Sequence, residues 1–255
     1  MDENNNVVYE PVPVAPQKDF DPSGLNPWQR MNGLCSDSLF LAVCVLYSVN
    51  VGCAIFGWLS FSLPVIEILF TIFLWMAYAA AKKNRIFPKD VRRISGTVLA
   101  LKIVRIVEAA FVVIVGFLLK GLMGFFASES FAKLFMKKKP EIQEYLRIAE
   151  PVFSLMGTVF LITMIVCAVI ALVLAILGIG SIHKFVKTAY RSAETGTLEI
   201  KGRKGACGWL IAFGILYGIS ALSILFYVTG AVQYGTLCAA YIILSKLINK
   251  YYGDV

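Results

Sequence analysis

Residues 38–58 read SLFLAVCVLYSVNVGCAIFGW, twenty-one positions from Ser38 to Trp58 without a charge. At 1.5 Å per residue, a helix of that length crosses a hydrocarbon core about 30 Å thick. Working outward, Leu59–Ser62 leaves room only for a tight hairpin, and Pro64 then stands where a helix tolerates proline, at its first position. A second span is expected over about 63–81, with Trp75 and Tyr78 near its inner end as an interfacial aromatic pair. It stops at a basic cluster of Lys82, Lys83, Arg85, Lys89, Arg92 and Arg93.

The whole chain follows this pattern. Of its 255 residues 58% are hydrophobic and 16% charged, with a mean hydropathy of +0.75. A soluble domain carries about 45–50% apolar and about 25% charged residues, so the excess apolar surface must face lipid. The fold class is all-α, a polytopic transmembrane bundle. Six spans are expected, at about 38–58, 63–81, 106–126, 152–179, 208–228 and 233–247, within a membrane domain of 38–248. Residues 1–25 form a polar, proline-containing tail, expected to be disordered in the cytosol. Trp28, Met31 and Leu34 recur at helical spacing, so 26–37 is expected as an amphipathic helix on the inner surface. Residues 249–255 make a short cytosolic tail. The first apolar run starts only at Ser38, behind a tail with six acids and two bases. No cleavable leader is read there, and span 1 is expected to stay in the mature protein.

The third span has two competing registers. Embedding 98–119 places Lys102, Arg105 and Glu108 in lipid, at about 2.5–3.5 kcal/mol for each central Lys or Arg. Embedding 106–126 leaves Glu108 at the inner boundary and Lys120 able to snorkel to the outer one. The second is cheaper, and it makes 89–105 a cytosolic extension of the same helix. After a 127–150 connector, Pro151 is expected to open the fourth span, which is long enough to tilt.

Charge orients the bundle. The N-terminal tail, 82–105, 181–206 and the C-terminal end hold two, eight, six and two of the 24 Lys and Arg residues. The opposite side holds six, including Lys137, Lys138 and Lys139, which run against the bias. The positive-inside rule places both termini in the cytosol. The flanking bases suit anionic lipid headgroups rather than nucleic acid.

The candidate intramembrane polar residues are Glu67, Asn50 and Glu108. A carboxylate in a span is a functional candidate by default. Glu67, however, falls in the first turn of its helix, where the dipole favours an anion. Asn50 lies deeper and needs a hydrogen-bond partner. Lys102, Arg105 and Glu108 have the i,i+3 spacing of a local ion-pair row. Cys44, Ser48 and Gly52 on span 1, and Gly214 and Gly218 on span 5, form small-residue stripes that permit close helix approach.

The six cysteines, Cys35, Cys44, Cys53, Cys167, Cys207 and Cys238, form no CxxC, and His183 is the single histidine. Zinc and other cofactors have no ligand set here. HExxH, Gly-x-Ser-x-Gly, P-loop and dinucleotide motifs are absent, so no catalytic residue is named.

Asn26-Pro27, Ser36-Asp37-Ser38-Leu39-Phe40-Leu41 and Pro64-Val65-Ile66, leading to Leu74-Trp75-Met76-Ala77-Tyr78, resemble a loose group of uncharacterised polytopic membrane proteins of Gram-positive bacteria. The resemblance implies the bacterial cell membrane and lends no activity, cofactor or site residue. Three function classes follow. The first is a non-enzymatic protein acting through membrane or protein contacts, with a protein partner or a second copy of the chain. The second is a small-solute or ion transporter or channel, and the third a membrane-embedded lipid-modifying enzyme.

Overall fold

In the computed structural model the described residues are 21–56, 65–84, 88–128, 140–223 and 228–254, and every element among them is helical. Helix α1 spans Pro27–Ser36, α2 Ser38–Phe56, α3 Val65–Lys82, α4 Pro88–Ala127 and α5 Pro140–Val173. A π-helical stretch, Leu174–Ile179, leads into α6 (Gly180–Thr195), followed by α7 (Arg203–Ser223) and α8 (Val228–Tyr252). Among the described residues five stretches are long and apolar enough to cross a membrane: Ser38–Ile55, Val65–Lys82, Glu150–Thr195, Arg203–Leu222 and Gly230–Tyr252. That is the make-up of a membrane-embedded helical protein. The expected third span lies on α4, which is not one of the five, and Lys102, Arg105, Glu108 and Lys120 interrupt its apolar run.

Several boundaries differ from the expectation, each for a physical reason. Pro151 does not open a helix: α5 starts at Pro140 and passes through Pro151. The ring removes one backbone hydrogen bond, a loss that membrane helices tolerate when the freed groups are satisfied nearby. Residues 229–232, expected as a turn, are already helical in α8. The same helix continues past 247 to Tyr252, because Leu247, Ile248, Tyr251 and Tyr252 are buried in the core. The 249–255 segment is thus largely helix, not a free tail. The expected tail over 1–20, the 59–62 hairpin and the 137–139 lysines lie outside the described residues.

The chain divides into two units, Met1–Leu101 with Gly178–Val255, and Lys102–Leu177. In the first, α8 packs on α7 and α2, α2 on α3, and α6 on α7. Lipid tails are as apolar as leucine, so spans associate through close packing rather than hydrophobic exclusion from water. Gly214 and Gly218 serve this: a Cβ at Gly214 would lie 3.0 Å from Ile242 Cγ1, and one at Gly218 3.3 Å from Cys238 Sγ, both on α8. In the second unit the α4 and α5 segments meet at Gly116, whose Cβ would lie 3.1 Å from Met164 Cβ, and at Gly157, facing Met123. Outside that seam the second unit is apolar and exposed, with Phe111 at 63%, Leu118 at 62% and Leu155 at 66%. Apolar patches of this extent belong against lipid or a partner.

Candidate functional site

The short helix α1 builds the most elaborate side-chain arrangement. Asn26 caps it: its side chain accepts from Gln29 N at 2.8 Å, Gln29 Oε1 accepts from Asn26 N at 3.0 Å, and Pro27 follows at the first position. This reciprocal capping box satisfies two backbone donors and fixes where the helix begins. Instead of lying on a surface, α1 is packed against α3, α6, α8 and α2, with Trp28, Met31 and Cys35 in the core. That placement corrects the expected interfacial helix.

Arg30 is buried with it, at 1% exposure. Its Nε donates to Leu25 O at 3.1 Å and its Nη1 to Tyr251 O at 3.1 Å, while Nη2 donates to Asp254 Oδ2 at 2.7 Å. Nη1 also reaches Asp254 Oδ1, completing a two-pronged guanidinium–carboxylate pair. The Arg30 hydrogen bonds hold the Asp254 carboxyl below its ordinary range.

Asp37, between α1 and α2, makes the second tie. Its Oδ2 accepts from Lys250 Nζ at 2.7 Å and from the Tyr251 hydroxyl at 3.0 Å, and Oδ1 accepts from Leu39 N at 2.9 Å. Burial opposes the Asp37 anion, yet the Lys250 ammonium and the Leu39 and Tyr251 donors outweigh it and keep the group below its usual value. Asn32 Nδ2 donates to Asn84 Oδ1 at 3.0 Å, and Arg203 Nη1 donates to Gly253 O at 2.6 Å. Asn84 has a φ of 49° just beyond α3, a left-handed geometry that asparagine accepts more readily than most residues. These contacts join α1, the end of α3, the start of α7 and the end of α8 into one clamp. His183 on α6 adds a contact to α4, with Nδ1 3.1 Å from Ser95 O.

Beneath the clamp, in the same unit, lies a cavity of about 110 Å³. Its lining is apolar throughout: Met31, Leu34 and Cys35 of α1, Phe40 of α2, Phe70 and Leu74 of α3, Val91, Ile94 and Val98 of α4, Ile182, Phe185, Val186 and Ala189 of α6, Leu210 of α7, and Leu244, Ile248 and Tyr252 of α8. Burial pushes the Cys35 thiol far above its ordinary pKa, which keeps it protonated and a poor nucleophile.

Compared with known proteins, the chain matches no family model, no curated protein and no solved structure.

The three candidate polar residues do not share that cavity. Glu67 is half-buried in the first turn of α3 and within electrostatic range of Tyr47. Asn50 is buried on α2, and its Oδ1 has no hydrogen-bond partner among the described residues. Glu108, in the other unit, is paired with Arg105 at 2.6 Å, the local i,i+3 ion pair expected from the spacing. Of the span 1 stripe, Cys44 is fully buried, whereas Ser48 is exposed and accepts from Trp75 Nε1 at 2.9 Å. Among the described residues nothing lies within 4 Å of a Cβ built on Gly52, so among them the stripe is not a continuous packing seam. The six cysteines are all free. Among the described residues no three His, Cys, Asp or Glu side chains group as metal ligands.

Sequence reading missed two features. One is the clamp, whose two charged pairs join residues more than 200 positions apart; the available hint was an arginine between Trp28 and Met31 on a helix that needed an apolar face. The other is an aromatic ladder in which Tyr217 stacks on Tyr234 at 5.9 Å and on Tyr241 at 5.6 Å, while Tyr47 meets Tyr241 edge-on at 6.3 Å. Centroid separations of this size are the attractive range for ring pairs, and the ladder knits α2, α7 and α8 together.

Proposed function

We propose that this chain is a six-span protein of the cell membrane with both termini cytosolic, acting through contacts rather than catalysis. In this reading its clamped end docks on anionic headgroups of the inner leaflet or on a protein partner at that surface. The observation that carries it is the clamp. Arg30–Asp254 and Asp37–Lys250 hold α1 and the last turn of α8 at one end of the bundle, where the exposed bases Lys82, Lys83, Arg92, Lys184, Lys187 and Lys204 also gather. A basic rim around a rigid apolar plug suits a headgroup-facing surface, each base near an anionic leaflet contributing about 1 kcal/mol. The sixth span is the 106–126 part of α4, supported by the exposed Val107, Phe111, Ile114, Phe117 and Leu118, which need an apolar solvent.

Two measurements test this. In a functional background lacking the native thiols, Glu199→Cys should react with an impermeant maleimide only after the membrane is opened; labelling in intact cells overturns the orientation. In nanodiscs, the protein should melt higher in phosphatidylglycerol than in phosphatidylcholine, and salt should narrow the gap. Equal melting in both lipids at low salt refutes headgroup docking.

A further inference from the structure

From the shape and chemistry of the cavity beneath the clamp, we infer that it binds part of one acyl chain of a membrane phospholipid. The inference rests on the membrane reading above and adds a ligand class to the same end of the molecule.

The first argument is chemical. Every lining side chain is apolar or presents its apolar part, and water in such a site finds no partners. Empty apolar cavities stay dry and accept small apolar molecules; an engineered one of about 150 Å³ takes benzene, so about 110 Å³ admits a few methylene groups of a chain. The second argument is shape. Leu244 and Tyr252 both line the cavity and lie about 12 Å apart along α8, and Val91 to Val98 and Ile182 to Ala189 each run about 10 Å along α4 and α6. A slot that follows three helices for two turns fits a linear chain better than a ring. The third is access. Leu34, Phe70, Ile182, Val186 and Leu244 line the cavity and remain partly exposed, so the slot can be entered from outside the bundle. The fourth is charge. Lys184 and Lys187, both exposed, flank Phe185 and Val186 of the lining, and Arg92 and Arg93 follow Val91. A chain entering beside these bases carries its phosphate next to fixed positive charge, as an anionic phospholipid would.

The test uses the full-length protein in liposomes containing phosphatidylglycerol with a photoactivatable diazirine at the end of one acyl chain. After illumination, peptide mass spectrometry maps the cross-links. The inference expects adducts on buried lining residues such as Met31, Leu210 or Ile248. Ala189→Leu and Val98→Phe, which fill the slot from two different helices, should lower those adducts at least tenfold. Gly208→Leu, where a side chain enters open space, should leave them unchanged. Adducts confined to exposed residues such as Phe111 and Leu155 overturn the inference. So does labelling by a diazirine fatty acid with none by the phospholipid, or lining adducts that persist in both folded slot-filling variants. If either variant fails to fold, the wild-type adduct map still decides. An outward-reacting Glu199→Cys would refute the orientation without altering that map, so the two readings fail separately.

Discussion

Replacing Arg30 by alanine removes the centre of the clamp, and the structure sets the size of the effect. The guanidinium satisfies the carbonyls of Leu25 and Tyr251 and both oxygens of Asp254 from a position 1% exposed. Each carbonyl left without its donor costs about 1 kcal/mol. The Asp254 side chain keeps 30% exposure, so water can replace part of what it loses and its share is about 1–2 kcal/mol. Arg30→Ala should therefore cost about 3–4 kcal/mol. Asp254→Ala, which leaves Arg30 its two carbonyls, should cost about 1–2 kcal/mol. Because both changes remove one shared interaction, the double variant should be scarcely worse than Arg30→Ala, with a coupling energy of about 1–2 kcal/mol. The assay is reversible unfolding in mixed micelles with rising sodium dodecyl sulfate, followed by tryptophan fluorescence, since Trp28 is buried on the same helix. Arg30→Ala within about 0.5 kcal/mol of wild type, or strictly additive losses in the double variant, would refute the reasoning.

The clamp should also respond to acid. Asp37 and Asp254 have folded pKa values below their unfolded ones, so their contribution is complete above about pH 4 and is lost as pH falls through the folded values. Melting temperature should be flat from pH 7 to about pH 5 and drop below about pH 4, and Asp37→Asn should blunt that drop. Gly214→Leu should cost about 1–3 kcal/mol by forcing apart α7 and α8, and Gly52→Leu should be nearly neutral in the same unfolding assay; equal losses would place Gly52 in a seam the structure does not show. Glu67→Gln should keep the fold and lose at most about 1 kcal/mol of dipole stabilisation. A pH-dependent cation flux in proteoliposomes that this variant abolished would instead favour the transporter.

The parts of the fold that were legible in the sequence are those set by local chemistry. An uncharged run such as 38–58 can satisfy its backbone in lipid only as a helix, and α2 follows from that alone. Asn26-Pro27 before Trp28 marks a capped start, and α1 begins there. The continuation of α4 through 89–105 was readable because a lone charged turn costs less on an extended helix than in the bilayer. What periodicity could not show was which surface α1 turns to water. Its apolar spacing suits a membrane interface and a protein core equally, and the deciding partners, Asp254 and Lys250, are reached only through the tertiary fold. Pro151 misled for a related reason: the rule for proline at helix starts is statistical, whereas the surrounding apolar sequence favours helix on both sides. The cavity left no trace in the sequence, because it is a property of how seven helices fail to fill one volume.

Arg30 and Asp254 are separated by 224 positions, and this has a bearing on how the protein is made. At about 5–20 residues per second, roughly 10–45 s pass between synthesis of the arginine and of its carboxylate. Through that interval α1 has emerged with Trp28, Met31 and Cys35 uncovered and with a cation on the side it will later bury. Helix α1 must wait, at the membrane surface or in the hands of a chaperone, for partners made more than 200 residues later. Ribosome stalling or termination shortly before residue 250 would release chains whose earlier helices are made but whose α1 lacks both charged partners on and beyond the end of α8. Such chains would present a sticky, basic segment by which quality-control proteases could tell unfinished molecules from finished ones.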